Sequence, residues 1–518
     1  MQRPKICLCL TCSTIAENLA ILEKYRNWVD VVELRVDYLT KDERLYIRHF
    51  PDQAKIPCIL TIRRKIVGGN FTEGEASRTT LLARGLSFAD QDTRKNFAYI
   101  DLEDDYHVPC LQDAAFAFGT RVIRSYHDMN GTIPNIAERM SKMRITGFEI
   151  PKIAVMPHCL SDVTNLFKQA EALKEMEHIL IAMGPLGLPS RILSGKLHSF
   201  MTYTSPTETI SKLAQIGQID PVTLNEVYNF RGIDESTNVF GITGYPLKTT
   251  GSPQIHNSGY RSHGMNAVYI PIRAQKIEEA LDFADVVGVQ GLSVTVPHKE
   301  SIIPNLQQVS EEVGYIGACN TAVKKGDEWR GFNTDAEGLT KALLEFMELK
   351  SLSRMKVGIL GAGGAARSAA QVIKDLRGKA CIFNRTVSKA RSLAEHYGFK
   401  WASLSADSLD LLEEYSELII QTTSIGLGIS EEEKTDNAND PIPFYTFHGH
   451  EFVYDMIYSP EKTPFLERAE KANCKICNGR TMLEYQAYEQ FEIFTGVPYE
   501  WPNVDTERTK RTGWKKHN

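Results

Sequence analysis

Eight short apolar runs recur across the first ~230 residues, and their spacing limits the fold more than any other feature of the chain. They are KICLCLT (5–11), DVVELRVD (30–37), PCILTIR (57–63), AYIDLED (98–104), RVIRSYHD (121–128), IPKIAVMP (150–157), HILIAMG (178–184) and SFMTYT (199–204). Longer polar or amphipathic segments lie between several of them, such as the helical pattern SDVTNLFKQAEALKEM at 161–176. Eight β/α units of this size predict a (β/α)8 TIM barrel over residues 1–230. The C-terminal ends of the strands then share one mouth, where Glu33, Arg35, Asp37, Arg63, Glu103, His127 and Asp128 fall. Any one polar residue is expected where a strand meets water. Arginines, carboxylates and a histidine together point to a site for an anionic substrate. Lys152 stands apart, just after Pro151 and before an apolar stretch, where burying an unpaired ammonium is costly.

The chain has 518 residues, too many for one ordinary domain. The polar stretch 231–237 reads as a linker, and FGITGYP opens a second α/β region, expected over 238–340. In VGILGAGGAARS, Gly361, Gly363 and Ala366 fit G-x-G-x-x-G/A between an apolar strand and a helix, the pattern of a Rossmann-like lobe over 341–475. Glycines there allow a tight turn and let backbone N–H groups approach a pyrophosphate at the helix N-terminus. The next strand ends in Asn384, Arg385 and Thr386, with Lys389 beyond, where an NAD site would place a carboxylate. Cations there can pair with a 2′-phosphate, so the expected cofactor is NADP. A helix over 476–500 closes the fold, and 501–518 is a polar tail.

The net charge of −6 gives no sign of a nucleic-acid partner, and no apolar run approaches the ~18 residues of a membrane helix. The start lacks a signal-peptide pattern, so a cytoplasmic location is expected. The ten cysteines are scattered and read as small buried hydrophobes, with no metal site expected despite Cys9–Cys12 and Cys474–Cys477 spacings.

The motifs together resemble known families. GYPLKTTGSPQIHN, LSVTVPHKE, GACNT, GFNTDAEG, GAGGAARSA, NRTVSKA, TTSIGLG, YDMIYSPEKTPFL and GRTMLEYQAYEQF resemble NADP-dependent shikimate dehydrogenases over nearly all of 238–500. ELRVD, TIR, SYHD, PKIAVMP and, more loosely, PSRIL and IGQI resemble type I 3-dehydroquinate dehydratases over 5–228. These activities are consecutive in the shikimate pathway, and the whole chain resembles the bifunctional fusions of the two. The resemblance implies 3-dehydroquinate, 3-dehydroshikimate and shikimate as small-molecule partners and leaves the oligomeric state open, a monomer included. It makes Lys152 a Schiff-base lysine and His127 a general base, with Glu33, Arg35, Arg63, Arg191 and Gln218 binding substrate. In the second half it makes Lys299 and Asp335 the catalytic pair, without deciding which is the proton donor. Thr250, Ser252, Thr295, Asn320, Tyr458 and Gln486 would bind substrate there. Gly361, Ala362, Gly363, Gly364, Ala365, Asn384, Arg385, Thr386, Lys389, Thr423 and Gly479 would bind the cofactor.

Two departures matter. Val67 stands where the dehydratase family has a glutamate that partners the histidine, which implies a slower dehydratase unless Glu73, Glu75 or Glu103 substitutes. Thr249 and Thr250 replace a usual histidine and serine, and the methyl of Thr250 narrows the carboxylate pocket, so shikimate is expected over quinate. A regulator built on these folds, or a dehydrogenase beside an inactive barrel, are the competing readings. A class I aldolase would explain the barrel lysine but not the second half.

Overall fold

The computed structural model describes residues 3–87, 90–247, 250–430, 432–433 and 437–500. The eight apolar runs form eight strands: β1 (Lys5–Leu10), β2 (Val31–Arg35), β3 (Cys58–Thr61), β4 (Tyr99–Glu103), β5 (Arg121–Asp128), β6 (Ile150–Val155), β7 (Ile179–Ala182) and β8 (Met201–Thr204). They lie in one parallel sheet in the order β7-β6-β5-β4-β3-β2-β1-β8. The sheet curls into a TIM-like barrel. The closing seam between β7 and β8 carries a single bridge, His178 to Ser199. On that side of β7, serine hydroxyls stand in for a partner strand. Leu180 N donates to Ser199 Oγ (3.2 Å) and Ala182 N to Ser190 Oγ (2.9 Å).

Side chains alternate across a strand, so every second residue faces the barrel axis. That inner face begins apolar, with Val31, Ile59, Tyr99, Ile123, Ile150, Ile179 and Met201 in one buried cluster. Two and four residues further along the same faces stand Glu33 and Arg35, Asp101 and Glu103, Ser125 and His127, and Lys152. Period two thus fills the floor with hydrocarbon and the mouth with charge.

The second half contains two more sheets. The first has strands β9 (Asn238–Gly244), β10 (Ala267–Arg273), β11 (Val289–Val294), β12 (Gln308–Val309), β13 (Thr321–Lys325) and β14 (Glu328–Phe332) in the order β10-β9-β11-β13-β14-β12. The second has β15 (Lys356–Leu360), β16 (Lys379–Asn384), β17 (Lys400–Ser403), β18 (Leu418–Gln421), β19 (Phe452–Asp455) and β20 (Lys475–Cys477). Its order, β17-β16-β15-β18-β19-β20, is all parallel and is that of the doubly wound dinucleotide folds. The order reverses between β15 and β18, which places a ligand crevice at their C-terminal ends.

Compactness groups Met1–Phe240 with Asn266–Val289 in one unit, and Gly241–Met265 with Gln290–Asn518 in another. The helix Ile277–Val287 belongs to the first because it packs on the barrel helix Leu160–Ala170. Phe167 meets Phe283 edge to face at 5.6 Å, and Lys168 pairs with Asp282 at 3.3 Å. Among the described residues, no helix is long and apolar enough to cross a membrane.

Candidate active sites

At the barrel mouth a cavity is lined by Glu33, Arg35, Arg63, His127, Lys152, Arg191 and Gln218, the whole set expected from the sequence. Lys152 is 4% exposed, and its ammonium is not left unpaired. Nζ donates to Asp101 Oδ2 at 3.2 Å and lies 4.1 Å from the centre of the Tyr203 ring. Asp101 also accepts from Ser125 Oγ (2.6 Å) and pairs with Arg63 at 2.8 Å. Burial alone would raise the Asp101 carboxyl, but Arg63 and Lys152 outweigh it and hold it well below the usual carboxylate range.

His127 is pushed well below its ordinary value by burial, then by the Arg63 and Lys152 cations. It is a neutral imidazole at physiological pH. Its Nδ1 is buried and has no partner among the described residues. Val67 lines the same cavity and offers none. The three candidate substitutes are bound elsewhere. Glu73 pairs with Arg44 (2.8 Å), Glu75 with Arg78 (2.9 Å), and Glu103 with Arg78 (2.7 Å), Arg63 (3.5 Å) and Arg64. Of the alternatives left open by the sequence, none is seen on His127: arginines hold all three.

The arginines differ in what they already bind. Arg35 makes a two-pronged pair with Asp37 at 3.0 and 2.8 Å. Arg63 is neutralised by Asp101 and Glu103. Among the described residues Arg191 donates to the carbonyls of Tyr203 (3.2 Å) and Ile216 (2.6 Å) alone. Burial pushes its guanidinium down to about 10. It is the cavity cation with no carboxylate beside it among the described residues. Glu33 accepts from Thr61 Oγ1 (2.8 Å) and Cys9 Sγ (3.1 Å), while Gln218 reaches Cys9 Sγ at 3.4 Å and accepts from Ser205 Oγ.

In the second half, Lys299 Nζ donates to Asp335 Oδ2. Asn320 Nδ2 donates to Asp335 Oδ1 at 2.8 Å and to Gln486 Oε1 at 3.3 Å, so four expected residues form one hydrogen-bonded group. Tyr458 OH donates to Thr250 Oγ1, which donates to Ser252 Oγ, both at 3.2 Å. Thr295 is half-buried in the loop before Lys299, its backbone N–H on Thr243 O at 2.9 Å. Thr249 lies outside the described residues, as does the tail 501–518.

The glycine turn follows β15. Gly361 has φ +118°, and a Cβ there would lie 2.5 Å from Thr422 Oγ1 and 3.1 Å from Thr423 Cγ2 beyond β18. Only glycine fits that place, at the point where strand order reverses. Ala362 packs on the lobe's core and Gly363 caps the helix Gly364–Asp375, in whose first turn Ala365 sits. A Cβ on Gly364 would meet the Cβ and Cδ of Lys299 at 3.1 Å, so the turn and the lysine stem touch. Asn384 Nδ2 donates to Thr386 O (3.0 Å), while Arg385 and Lys389 are exposed. Gly479 caps the helix Arg480–Thr495, and a Cβ there would strike Met456 O at 2.1 Å.

Family models match in the same order: type I 3-dehydroquinase over residues 6–235, shikimate dehydrogenase substrate binding domain over 242–322, and shikimate/quinate 5-dehydrogenase over 344–444. A chloroplastic bifunctional 3-dehydroquinate dehydratase/shikimate dehydrogenase of Arabidopsis thaliana is 30% identical over 491 residues, covering 90% of this chain and 78% of that one. The chain belongs to that bifunctional family. The barrel is its dehydratase, a lyase, and the second half its shikimate dehydrogenase, an oxidoreductase. An NADP(+)-dependent shikimate dehydrogenase of Caldanaerobacter subterraneus is 36% identical over 271 residues, 51% of this chain and 94% of its own. A solved dehydroquinate dehydratase and shikimate dehydrogenase from S. pombe is 23% identical, covering 96% of this chain and 97% of its own, with a TM-score of 0.39.

In the dehydratase half, the sequence reading missed Asp101, Tyr203 and Ser205. Asp101 was within reach. In AYIDLED it shares a strand face with Glu103, which the same reading placed at the mouth. Tyr203 and Ser205 became site residues only through the closure of β8 onto β1.

Proposed function

We propose that the dehydratase works through a Schiff base on Lys152 and that the dehydrogenase takes its hydride from NADPH. The carrying observation is a buried lysine at the barrel mouth that shares its cavity with a neutral histidine whose Nδ1 has no partner among the described residues. The Lys152 ammonium releases a proton and its amine adds to the ketone of 3-dehydroquinate. That proton goes back to the former carbonyl oxygen, which leaves as water, giving an iminium that acidifies the adjacent C–H. His127, already neutral, takes that proton and returns it to the departing hydroxyl, which leaves as water. Hydrolysis of the iminium frees 3-dehydroshikimate and the amine. Arg191, a buried cation without a carboxylate partner, seats the substrate carboxylate. Glu33, Arg35, Arg63 and Gln218 complete the walls.

In the second half, Lys299 and Asp335 hold the carbonyl oxygen of 3-dehydroshikimate and supply its proton. Thr250, Ser252, Thr295, Asn320, Tyr458 and Gln486 bind the hydroxyls and carboxylate. The glycine turn, the N-terminus of helix Gly364–Asp375 and the exposed Arg385 and Lys389 fit a dinucleotide with a 2′-phosphate. Bound there with Asn384, Thr386, Thr423 and Gly479 around it, NADPH supplies the hydride. Shikimate is the preferred product, with quinate oxidation at most a side activity. Within this reading the barrel spans 1–230, the linker 231–237, the substrate lobe 238–340, the nucleotide lobe 341–475 and the returning helix 476–500.

The orphaned His127 Nδ1 favours one variant of this reading, a dehydratase slower than its relatives. Purified protein given 3-dehydroquinate and NADPH, or 3-dehydroshikimate and NADPH, tests both. Shikimate from each substrate is the expected result. NADPH loss from 3-dehydroshikimate alone would leave the barrel inactive, and loss from neither would overturn the proposal.

A further inference from the structure

The reactive nitrogen of the barrel is gripped from two sides. One is the Asp101 carboxylate at 3.2 Å, and the other is the ring of Tyr203, whose centre is 4.1 Å from Nζ. Tyr203 is 3% exposed and belongs to the same buried cluster as Cys7, Ile150 and Met201. Its hydroxyl is buried and has no partner among the described residues. The part of Tyr203 that makes a polar contact is therefore the ring. Burial, then the neighbouring Cys7 and Glu33, push the phenol well above its ordinary value, so it stays un-ionised and presents a neutral π face. Such a face attracts a cation most strongly away from bulk water, and both side chains are buried.

We propose that Tyr203 is a positioning residue of the dehydratase, its ring face holding the charged nitrogen of the Lys152 iminium. The inference rests on the Schiff-base reading and deepens it. Condensation of the amine with the ketone releases water and leaves the positive charge on the same nitrogen, as an iminium. Ring and carboxylate therefore face a cation in the resting ammonium and again in the intermediate. Each favours the form of the adduct that makes the neighbouring proton acidic. The phenolic hydroxyl takes no part.

The test uses the full chain with Tyr203→Phe and Tyr203→Leu, steady-state dehydration of 3-dehydroquinate, and borohydride trapping of the substrate adduct on Lys152. The phenylalanine variant is expected to keep kcat within about twofold, since the face survives. The leucine variant should lower kcat about thirtyfold and slow trapping in parallel, with KM little changed. Should the leucine variant fail to fold, phenylalanines of increasing fluorination in place of Tyr203 keep the shape and weaken the face, and log kcat should fall with each fluorine. A flat fluorine series, or a leucine variant that turns over and traps like the wild type, overturns the inference alone. A phenylalanine variant as slow as leucine overturns it in favour of the hydroxyl. No trapped adduct in the wild type overturns the Schiff-base reading and this inference with it.

Discussion

Val67 is the residue on which the dehydratase turns. It lines the cavity with His127, whose Nδ1 has no partner among the described residues, while Glu73, Glu75 and Glu103 are each paired with an arginine. Val67→Glu restores a carboxylate beside the imidazole and should raise dehydratase kcat about tenfold. That is less than the roughly hundredfold or more of a group that itself transfers the proton, because this carboxylate acts through the histidine. An unchanged or lower rate, measured on 3-dehydroquinate, would remove the argument. The same histidine sets the pH behaviour. Its folded pKa lies well below the ordinary 6.5, so the imidazole remains a base as pH falls through 6.5. The acid limb of dehydratase kcat/KM should therefore sit well under pH 6.5. Because the folded value is depressed, the stability this neutral histidine allows is present above pH 6.5 and lost as pH falls toward the folded value. A profile of kcat/KM between pH 4 and 8, with unfolding followed in parallel, checks both.

At the scale of elements, strand ends and tight loops do the placing. Gly69 lies on the loop after β3, and a Cβ there would sit 2.1 Å from Arg63 O and 2.5 Å from its carbonyl carbon. Gly69→Ala has to move the backbone of Arg63, the residue that braces Asp101 beneath Lys152. It should cost about 3 kcal/mol of stability and most of the dehydratase activity, measured by denaturant unfolding and turnover. The elements were largely legible in the sequence: the run 121–128 is strand β5, and the face carrying Glu33, Arg35, His127 and Lys152 follows from period two. Pairings across strands were less so. Nothing in AYIDLED says that Asp101 will face Lys152, because that depends on the register of three strands. The occupation of Glu73, Glu75 and Glu103 by arginines likewise needs the loop geometry, which no local pattern encodes.

At the scale of the molecule, the two halves carry disjoint chemistry. The described residues around Lys152 lie in Met1–Phe240 and those around Lys299 and Asp335 in the second unit. Lys152→Met should abolish shikimate formation from 3-dehydroquinate yet leave it intact from 3-dehydroshikimate. Asp335→Asn should abolish shikimate formation from both substrates, with 3-dehydroshikimate accumulating from 3-dehydroquinate, and product chromatography distinguishes the two variants. Eight evenly spaced runs announced a barrel, but not that it would close through one bridge at β7 and β8. That closure has a colloidal consequence. A strand with one poorly paired side is a template for a strand of another molecule. Here the template is plugged by two hydroxyls, Ser199 on Leu180 N and Ser190 on Ala182 N. Replacing both serines with alanine should leave those amides unoccupied and bring on light scattering during mild heating, before either activity is lost. The amide row of β7 is closed, in this chain, partly by two buried serines.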